Sequence, residues 1–330
     1  MKHVNLGRTG LRVSRLCLGT MTFGLQCDEA QSRAILDASA EGGIDFLDAA
    51  DVYPIGGDYT TAGRTEEIIG RWMTGRRHDF IVATKCVGKM GPRYWDGGMS
   101  RKHVLDAVDA SLRRLKTDYI DLYQLHSYDE HTPLDEALEA LDAVVKAGKA
   151  RYVGVSNWPA YKLARALGRS ELKNLVRIDS HQPRYNLLFR TFERDLLPLC
   201  EEEGIAVIPY NPMAGGFLSG KHNAGPPTEG TRFTLGKSAG IYQERYWHNR
   251  AFEAVEEIRK VAAEAGMSMA TLAVRWVLSN PAITSPIVGA SRPEQLADSL
   301  AAAAAGPLPG DLKAKLDEVT HDWRAVDAER

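Results

Sequence analysis

A chain of 330 residues, 44% apolar and 25% charged, has the composition of a globular protein able to bury a large core. A formal net charge of −2, with acids and bases interspersed, leaves no electrostatic footprint for nucleic acid or an anionic membrane. Four scattered cysteines, Cys17, Cys27, Cys86 and Cys200, have neither CxxC nor Cys/His ligand spacing, which points to a reducing compartment without structural disulfides or a metal site.

The N-terminal stretch MKHVNLGRTGLRVSRL lacks an apolar run with a cleavage site. No segment approaches the roughly 18 apolar residues of a membrane span, so a soluble cytoplasmic protein is expected. HVNLGRTGLRVSRL alternates apolar and polar residues around a glycine turn and reads as a β-hairpin. A strand begins at Cys17, and Asp28 and Gly42 bracket a helix. IDFLD, the helix TEEIIGRWM and the strand FIVATK follow, and Ser100 caps the helix RKHVLDAVDASLRRL. After the strand IDLYQLH, Thr132 and Pro133 open a helix with Leu134, Leu138, Leu141 and Val145 on one face. YVGVSN, a helix from about Pro159, VRIDSHQ, the helix ERDLLPLCEEEG and IAVIPYN continue the rhythm. An irregular stretch runs from about 212 to 247, followed by helices at about 249–265 and 269–279, the strand SPIVGA and a helix from Pro293. Strands near 17, 45, 82, 122, 153, 179, 207 and 287, separated by helices and apolar on both faces, predict a parallel α/β fold. Eight repeats without a topological break favour a (β/α)8 TIM barrel with an N-terminal hairpin over an open sheet, as one domain spanning 1–330.

In this register the carboxyl ends of the strands carry polar residues: Asp48, Lys85, His126, Ser156 with Asn157, Gln182 and Tyr210. A (β/α)8 barrel gathers these ends on one face, where catalytic residues collect. FLDAADVY at 46–53 adds a second acid, Asp51, and a phenol, Tyr53. Taken alone that stretch fits an Asp-rich turn as well as a proton-transfer site.

The motifs LGRTGLRVSRLCLGTMTFG, DAADVY, ATK, YIDLYQLHSYD, VGVSN, QPRYNLL, PYNPMAGGFLSGK and PIVGASRPEQL, in this order, resemble those of the aldo-keto reductase family over nearly the whole chain. The resemblance implies an NADPH-dependent carbonyl reductase with Asp48, Tyr53, Lys85 and His126 as its tetrad. It also selects Asp48 over Asp51, because the family's aspartate stands five positions before its tyrosine. The residue types suit that chemistry. Hydride addition to a carbonyl builds charge on oxygen and needs a proton donor within reach. A phenol with an ordinary pKa of about 10 is a weak donor at neutral pH, so an ammonium such as Lys85 is expected to lower it. Asp48 would hold that ammonium, and His126 would hydrogen-bond the carbonyl oxygen.

GTMTFG after the first strand is not the GxGxxG fingerprint, so a Rossmann site is unsupported. The resemblance instead implies that Ser156, Asn157 and Gln182 bond the nicotinamide carboxamide while Tyr210 stacks on the ring. It assigns the pyrophosphate to the segment containing Asn211, Pro212, Met213, Gly215, Leu218, Ser219 and Lys221, with Arg232 as a clamp. In GASRPEQLADSL, Ser291 and Glu294 have capping-box spacing with Pro293 inside the helix start. A capped helix N-terminus with Arg292 beside it is also an anion site. The resemblance places the adenosine 2′-phosphate there, with Gly289, Gln295 and Asp298 nearby, and Arg292 favours NADP over NAD. Asp298-Ser299 departs from the family's usual Glu-Asn.

Long loops carry Tyr59, Trp95 and Trp247, which are candidates for the wall of a substrate pocket. Cys86, adjacent to Lys85 on its strand, is expected to face the opposite way. Two other readings compete with an enzyme acting on a small carbonyl or alcohol. Potassium-channel beta subunits resemble the same family and act by docking to a partner, although His126 and the lack of a long N-terminal extension favour catalysis. A (β/α)8 lyase with Lys85 as Schiff-base nucleophile is the other. A homo-oligomer is compatible with the sequence, which names neither the substrate nor the direction of the reaction.

Overall fold

The computed structural model describes residues 1–236 and 238–324. An antiparallel hairpin opens the chain, β1 (His3–Asn5) with β2 (Arg12–Ser14), Val4 opposite Val13. Eight parallel strands follow: β3 (Cys17–Gly19), β4 (Phe46–Asp48), β5 (Ile81–Cys86), β6 (Ile120–Leu125), β7 (Ala150–Ser156), β8 (Ser180–Gln182), β9 (Ala206–Val207) and β10 (Ile287–Gly289). The helices are α1 (Glu29–Glu41), α2 (Arg64–Trp72), α3 (Arg101–Leu115), α4 (Leu134–Lys146), α5 (Ala160–Lys173), α6 (Leu196–Glu202), α7 (Ala239–Tyr246), α8 (Asn249–Glu264), α9 (Met269–Leu278), α10 (Ala297–Ala305) and α11 (Gly310–Val319).

The strands pair in the order β10-β3-β4-β5-β6-β7-β8-β9. The remaining gap is bridged, because the Thr284 amide donates to the Val207 carbonyl and the Ile287 amide to the Pro209 carbonyl, each at 2.8 Å. The result is the (β/α)8 barrel read from the sequence. Strand residues alternate between two environments, as the pleat requires. Cys17, Phe46, Ala83, Leu122, Ala206 and Ile287 form one apolar cluster, whereas Leu18, Leu47, Val82, Tyr123, Val153 and Val207 belong to a second, larger one that includes the helices. Leu6 and Val13 of the hairpin join the first cluster, so the hairpin plugs the amino-terminal end of the barrel. That seal is tight at Gly7, whose φ is +56° and where a Cβ would lie 2.4 Å from the Gly204 carbonyl oxygen.

Several helix starts carry the expected side chains. Asp28 accepts from the Gln31 amide in a full capping box, and Ser100 accepts from the His103 amide. Two local expectations fail. The stretch from 212 to 247 is not irregular throughout, since it contains a 3-10 turn over Ala214–Ser219 and helix α7. The Ser291–Glu294 capping box does not form, because both the amide and the hydroxyl of Ser291 donate to the Gln295 side-chain oxygen, at 2.9 and 3.2 Å. Glu294 points to solvent, and a 3-10 turn over Pro293–Leu296 precedes α10. Among the described residues no single helix is long and apolar enough to cross a membrane.

Candidate active site

Parallel register places Asp48 opposite Ala83, so Lys85 stands two residues further along β5 on the same, inward row. Lys85 Nζ donates to Asp48 Oδ2 at 2.7 Å and to the Ala49 carbonyl at 2.8 Å, with both side chains buried. From the far side of the barrel, Gln182 Nε2 donates to Asp48 Oδ1 at 2.8 Å. One carboxylate thus ties β4 to both β5 and β8. Cys86, the next residue along, lies in the outer cluster as expected.

Beyond β4 the chain stays anchored, with the Ala49 amide donating to Ala83 and the Asp51 amide to Lys85. A turn closed by the Tyr53 amide on the Ala50 carbonyl then brings Tyr53 back over the strand ends. Its ring centroid lies 5.0 Å from Lys85 Nζ, and the His126 ring stands edge-on to it at 5.7 Å and 79°. His126 is set by its own amide, which donates to the Cys86 carbonyl at 2.9 Å. Four side chains from three neighbouring strand ends therefore meet at one pole.

Their electrostatics follow from burial. Burial alone would lower the Lys85 pKa, but the charge of Asp48, with Tyr53, reverses this and raises it, so the amine is an ammonium. Tyr53 departs from expectation: burial outweighs the nearby ammonium and pushes the phenol up to about 12 instead of lowering it. His126 is pushed down to about 3 by burial and then by Lys85, which leaves a neutral imidazole. The site thus holds a fixed cation, a protonated phenol and a neutral histidine.

Of the residues expected at the cofactor, Ser156, Asn157, Gln182 and Tyr210 adjoin this group. Ser156 Oγ donates to the Gln182 carbonyl at 2.9 Å. Asn157, in the left-handed region at φ 59°, donates to the His126 carbonyl at 3.1 Å and accepts from the Tyr210 hydroxyl at 2.8 Å. Beyond Tyr210 the chain is unusually contorted, with positive φ at Asn211, Ala214, Gly215 and Gly216. Pro212 and Leu218 are buried, Met213 is half-buried, Ser219 Oγ donates to the Gly216 carbonyl, and Lys221 is exposed. Arg232 reaches back to this turn, and a Cβ on Gly215 would lie 3.6 Å from its Cδ. Gly289 ends β10 beside Gly19, and the Arg292 side chain is 70% exposed. Asp298 is otherwise engaged, accepting from Ser268 Oγ at 2.6 Å and Thr271 Oγ1 at 3.0 Å at the start of α9.

Each of the three aromatics expected at a substrate pocket has its own loop environment. Tyr59 is 52% exposed, and Trp95 packs edge-on against the exposed Tyr94 at 4.4 Å. Trp247 anchors its loop, with Nε1 donating to the Gly225 carbonyl at 2.7 Å and its ring among Phe217, Phe233 and Phe252.

Two features had little sequence signal. Asp51 is fully buried, neither carboxylate oxygen has a hydrogen-bond partner among the described residues, and burial followed by the charge of Glu66 raises its pKa well above the usual range. Tyr242, on the unforeseen helix α7, is 4% exposed and lies against Gly215. A Gly-Gly pair followed by an aromatic-rich segment was its only hint.

A Lys–Asp ion pair, a phenol and an imidazole thus meet at the carboxyl pole of a closed barrel, the face on which active sites of this architecture are built. The sequence profile of the Aldo/keto reductase family matches residues 15–321. The chain belongs to the Aldo/keto reductase family. It is 39% identical over 310 residues to the uncharacterized oxidoreductase YrpG of Bacillus subtilis, covering 92% of this chain and 91% of that protein. It is 36% identical over 314 residues to a probable voltage-gated potassium channel subunit beta of Arabidopsis thaliana, covering 93% of each. It is 34% identical over 320 residues to Protein tas of Escherichia coli, covering 90% of this chain and 91% of that protein.

Proposed function

We propose that the protein is an NADPH-dependent oxidoreductase that reduces an aldehyde or ketone to the alcohol, reversibly. The observation that carries this reading is the buried Lys85–Asp48 pair with Tyr53 and His126 at the same pole. The residues alongside fit a nicotinamide dinucleotide. Asn157 and Tyr210 form a polar wall beside the tetrad, and the amide of Gln182 is already spent on Asp48, which leaves its side-chain oxygen as an acceptor. Among the described residues Asn211 Nδ2 is a buried donor without a partner at the head of the left-handed turn, and Arg232 supplies a cation beside Gly215 of the same turn.

The bound dinucleotide supplies the hydride. The chain supplies the rest. Tyr53, held as a phenol, gives its proton to the carbonyl oxygen as the carbon is reduced, and Lys85 stabilises the phenolate left behind. Neutral His126 offers a ring N–H to the same oxygen without competing as an acid. Asp48 keeps Lys85 in place from a dry position.

The pH dependence follows. With Tyr53 at about 12 and His126 at about 3, neither group changes state near neutrality. The kcat/KM for reduction is expected to stay level between about pH 5 and 9, whereas alcohol oxidation, which needs the phenolate, rises with pH over that range. A reduction profile that fell steeply around neutrality would contradict the assignment. Tyr53→Phe should lower reduction by at least about a hundredfold while NADPH still binds. Turnover near the wild-type rate would remove Tyr53 from the role of acid. The substrate class is best approached by following NADPH oxidation across aldehydes, sugars and bulky ketones.

A regulatory reading is favoured by the relatives described as potassium channel beta subunits. Tight NADPH binding with no turnover on any carbonyl would support it. Lys85 as a Schiff-base nucleophile is disfavoured, because its raised pKa keeps the amine protonated and unreactive.

A further inference from the structure

Just past the end of β5, two residues beyond Lys85, the backbone turns at Val87 with φ +102°. The other non-glycine residues of positive φ among the described ones, Lys116, Asn157, Asn174, Asn211 and Ala214, lie between 51° and 59°, inside the left-handed helical region. Val87 lies beyond it. A β-branched residue is poorly suited to such a conformation, which a glycine would take without strain. Strain of this kind persists only where the surroundings over-determine it, and here both flanking peptides are held. The Cys86 carbonyl accepts from the His126 amide, and the Val87 carbonyl from the Gly98 amide, each at 2.9 Å. The half-buried Val87 side chain packs against the larger apolar cluster. The joint separates two tasks. The carbonyl before it sets His126, and the carbonyl after it closes the neck of the 88–98 loop. That loop starts beside the proton donor, since a Cβ on Gly88 would lie 2.7 Å from Cβ of Val52, the neighbour of Tyr53. Asp129 holds the far side of the neck, accepting from the Met99 amide at 3.1 Å, the His131 amide at 2.9 Å and Thr132 Oγ1 at 2.6 Å. Within the loop the Met90 amide donates to the Asp96 carbonyl at 2.7 Å and the Arg93 amide to Asp96 Oδ2 at 2.9 Å.

We propose that Val87 is a specificity-determining positioning residue: its strained backbone and packed side chain hold the 88–98 loop as a fixed wall beside Tyr53, and that wall selects among carbonyl compounds by bulk. The role in selection rests on the reductase reading above. Since His126 hangs on the Cys86 carbonyl, ahead of the joint, relaxing Val87 alters the wall and leaves the acid chemistry in place. A compound large enough to touch the wall then loses a preorganised surface and binds more weakly, whereas a small one does not reach it. Glycine at this position removes the strain and the side-chain anchor together. Alanine removes the anchor and keeps the strain, because its Cβ meets the same backbone at positive φ.

The test compares Val87→Gly and Val87→Ala with wild type in the full chain, by melting, by native-state trypsin cleavage and by NADPH-dependent reduction of propanal and 4-nitrobenzaldehyde. Val87→Gly is expected to melt above Val87→Ala, the reverse of the order that glycine and alanine take at an unstrained position. Cleavage after the exposed Arg93 is expected to quicken about fivefold or more in Val87→Gly as the loop is freed. The KM for 4-nitrobenzaldehyde should rise about fivefold to tenfold, while kcat and KM for propanal move by less than about twofold. The Kd for NADPH should stay at the wild-type value. A merely structural role would lower both melting temperatures and penalise the two aldehydes alike. Val87→Ala melting above Val87→Gly, unaltered cleavage after Arg93, or equal effects on the two aldehydes overturns the proposal. If Val87→Gly does not melt cooperatively, Val87→Ala decides the matter, and an unaltered ratio of the two KM values overturns it. Wild-type protein that oxidised NADPH with no aldehyde, sugar or ketone would remove the reductase reading and the selective role together. Wild-type turnover with unaltered variants removes only the role of Val87.

Discussion

Asp48 and Asp51 stand three positions apart on one strand end and meet opposite environments. Asp48 turns inward and pairs with Lys85, with both carboxylate oxygens engaged. Asp51 turns outward into a dry space beside Glu66, whose carboxylate already serves Thr84 Oγ1 and Arg114 Nε. Removing one member of a buried pair strands the other, so Asp48→Ala is expected to cost about 3–5 kcal/mol and to be seen as a lowered melting temperature. The Asp51 effect has the opposite sign. Its folded pKa is raised, so the stability it contributes is complete below the unfolded value of about 3.9 and is lost as pH rises through the folded value. Asp51→Asn, which keeps the shape without the charge, should therefore be more stable than wild type at neutral pH, with the difference closing toward pH 4. Melting curves with the same pH slope for both proteins would show that Asp51 is ionised in the fold.

At the scale of elements, the strands and most helices were legible because the period-2 and period-3.6 patterns are written in long apolar runs. The meeting of Asp48, Lys85 and His126 was legible for the same reason, since each stands at a strand end that the barrel brings together, whereas the choice of Asp48 over Asp51 and the inclusion of Tyr53 came from the family resemblance. Helix α7 was not, since AGIYQERY opens on glycine and alanine without a side-chain cap and buries only Tyr242 and Tyr246. The capping box at Ser291 failed for a local reason, in that the Gln295 oxygen offers both Ser291 donors one acceptor. The anion site expected there thus rests on Arg292 and not on a capped α-helix. Arg292 Nε is 4.0 Å from Glu294 Oε2 and its side chain is largely exposed, so it is free to turn to a phosphate. Arg292→Ala is expected to reduce the preference for NADPH over NADH by about tenfold, measured as the ratio of their Kd values. An unchanged ratio would move the 2′-phosphate elsewhere. Pocket aromatics could not be placed from sequence, because loop composition does not specify direction.

At the scale of the whole molecule, the barrel is closed at one pole by the hairpin and worked at the other. The plug depends on Gly7 approaching the backbone at Gly204 and Ala206. Gly7→Ala would impose both a clash and an unfavourable φ, and a loss of at least about 2 kcal/mol in chemical denaturation is expected. Because the hairpin is far from Tyr53 along the barrel axis, kcat of the folded fraction should stay near wild type. A loss of kcat without a loss of stability would show that the two poles communicate.

At the carboxyl pole, opposite sides of the barrel are joined in a place that matters for selectivity. The carboxylate that fixes the charge on Lys85 is also held by Gln182, the residue that would greet the nicotinamide amide. Under the proposed function, cofactor recognition and proton donation would share one carboxylate, two hydrogen bonds from end to end. A cofactor that engages Gln182 poorly would be misread at the proton donor as well as held loosely. Substitution of Gln182 should accordingly displace the alkaline limb of alcohol oxidation along with cofactor affinity, and a dinucleotide would then be judged partly by how well the proton transfer proceeds with it bound.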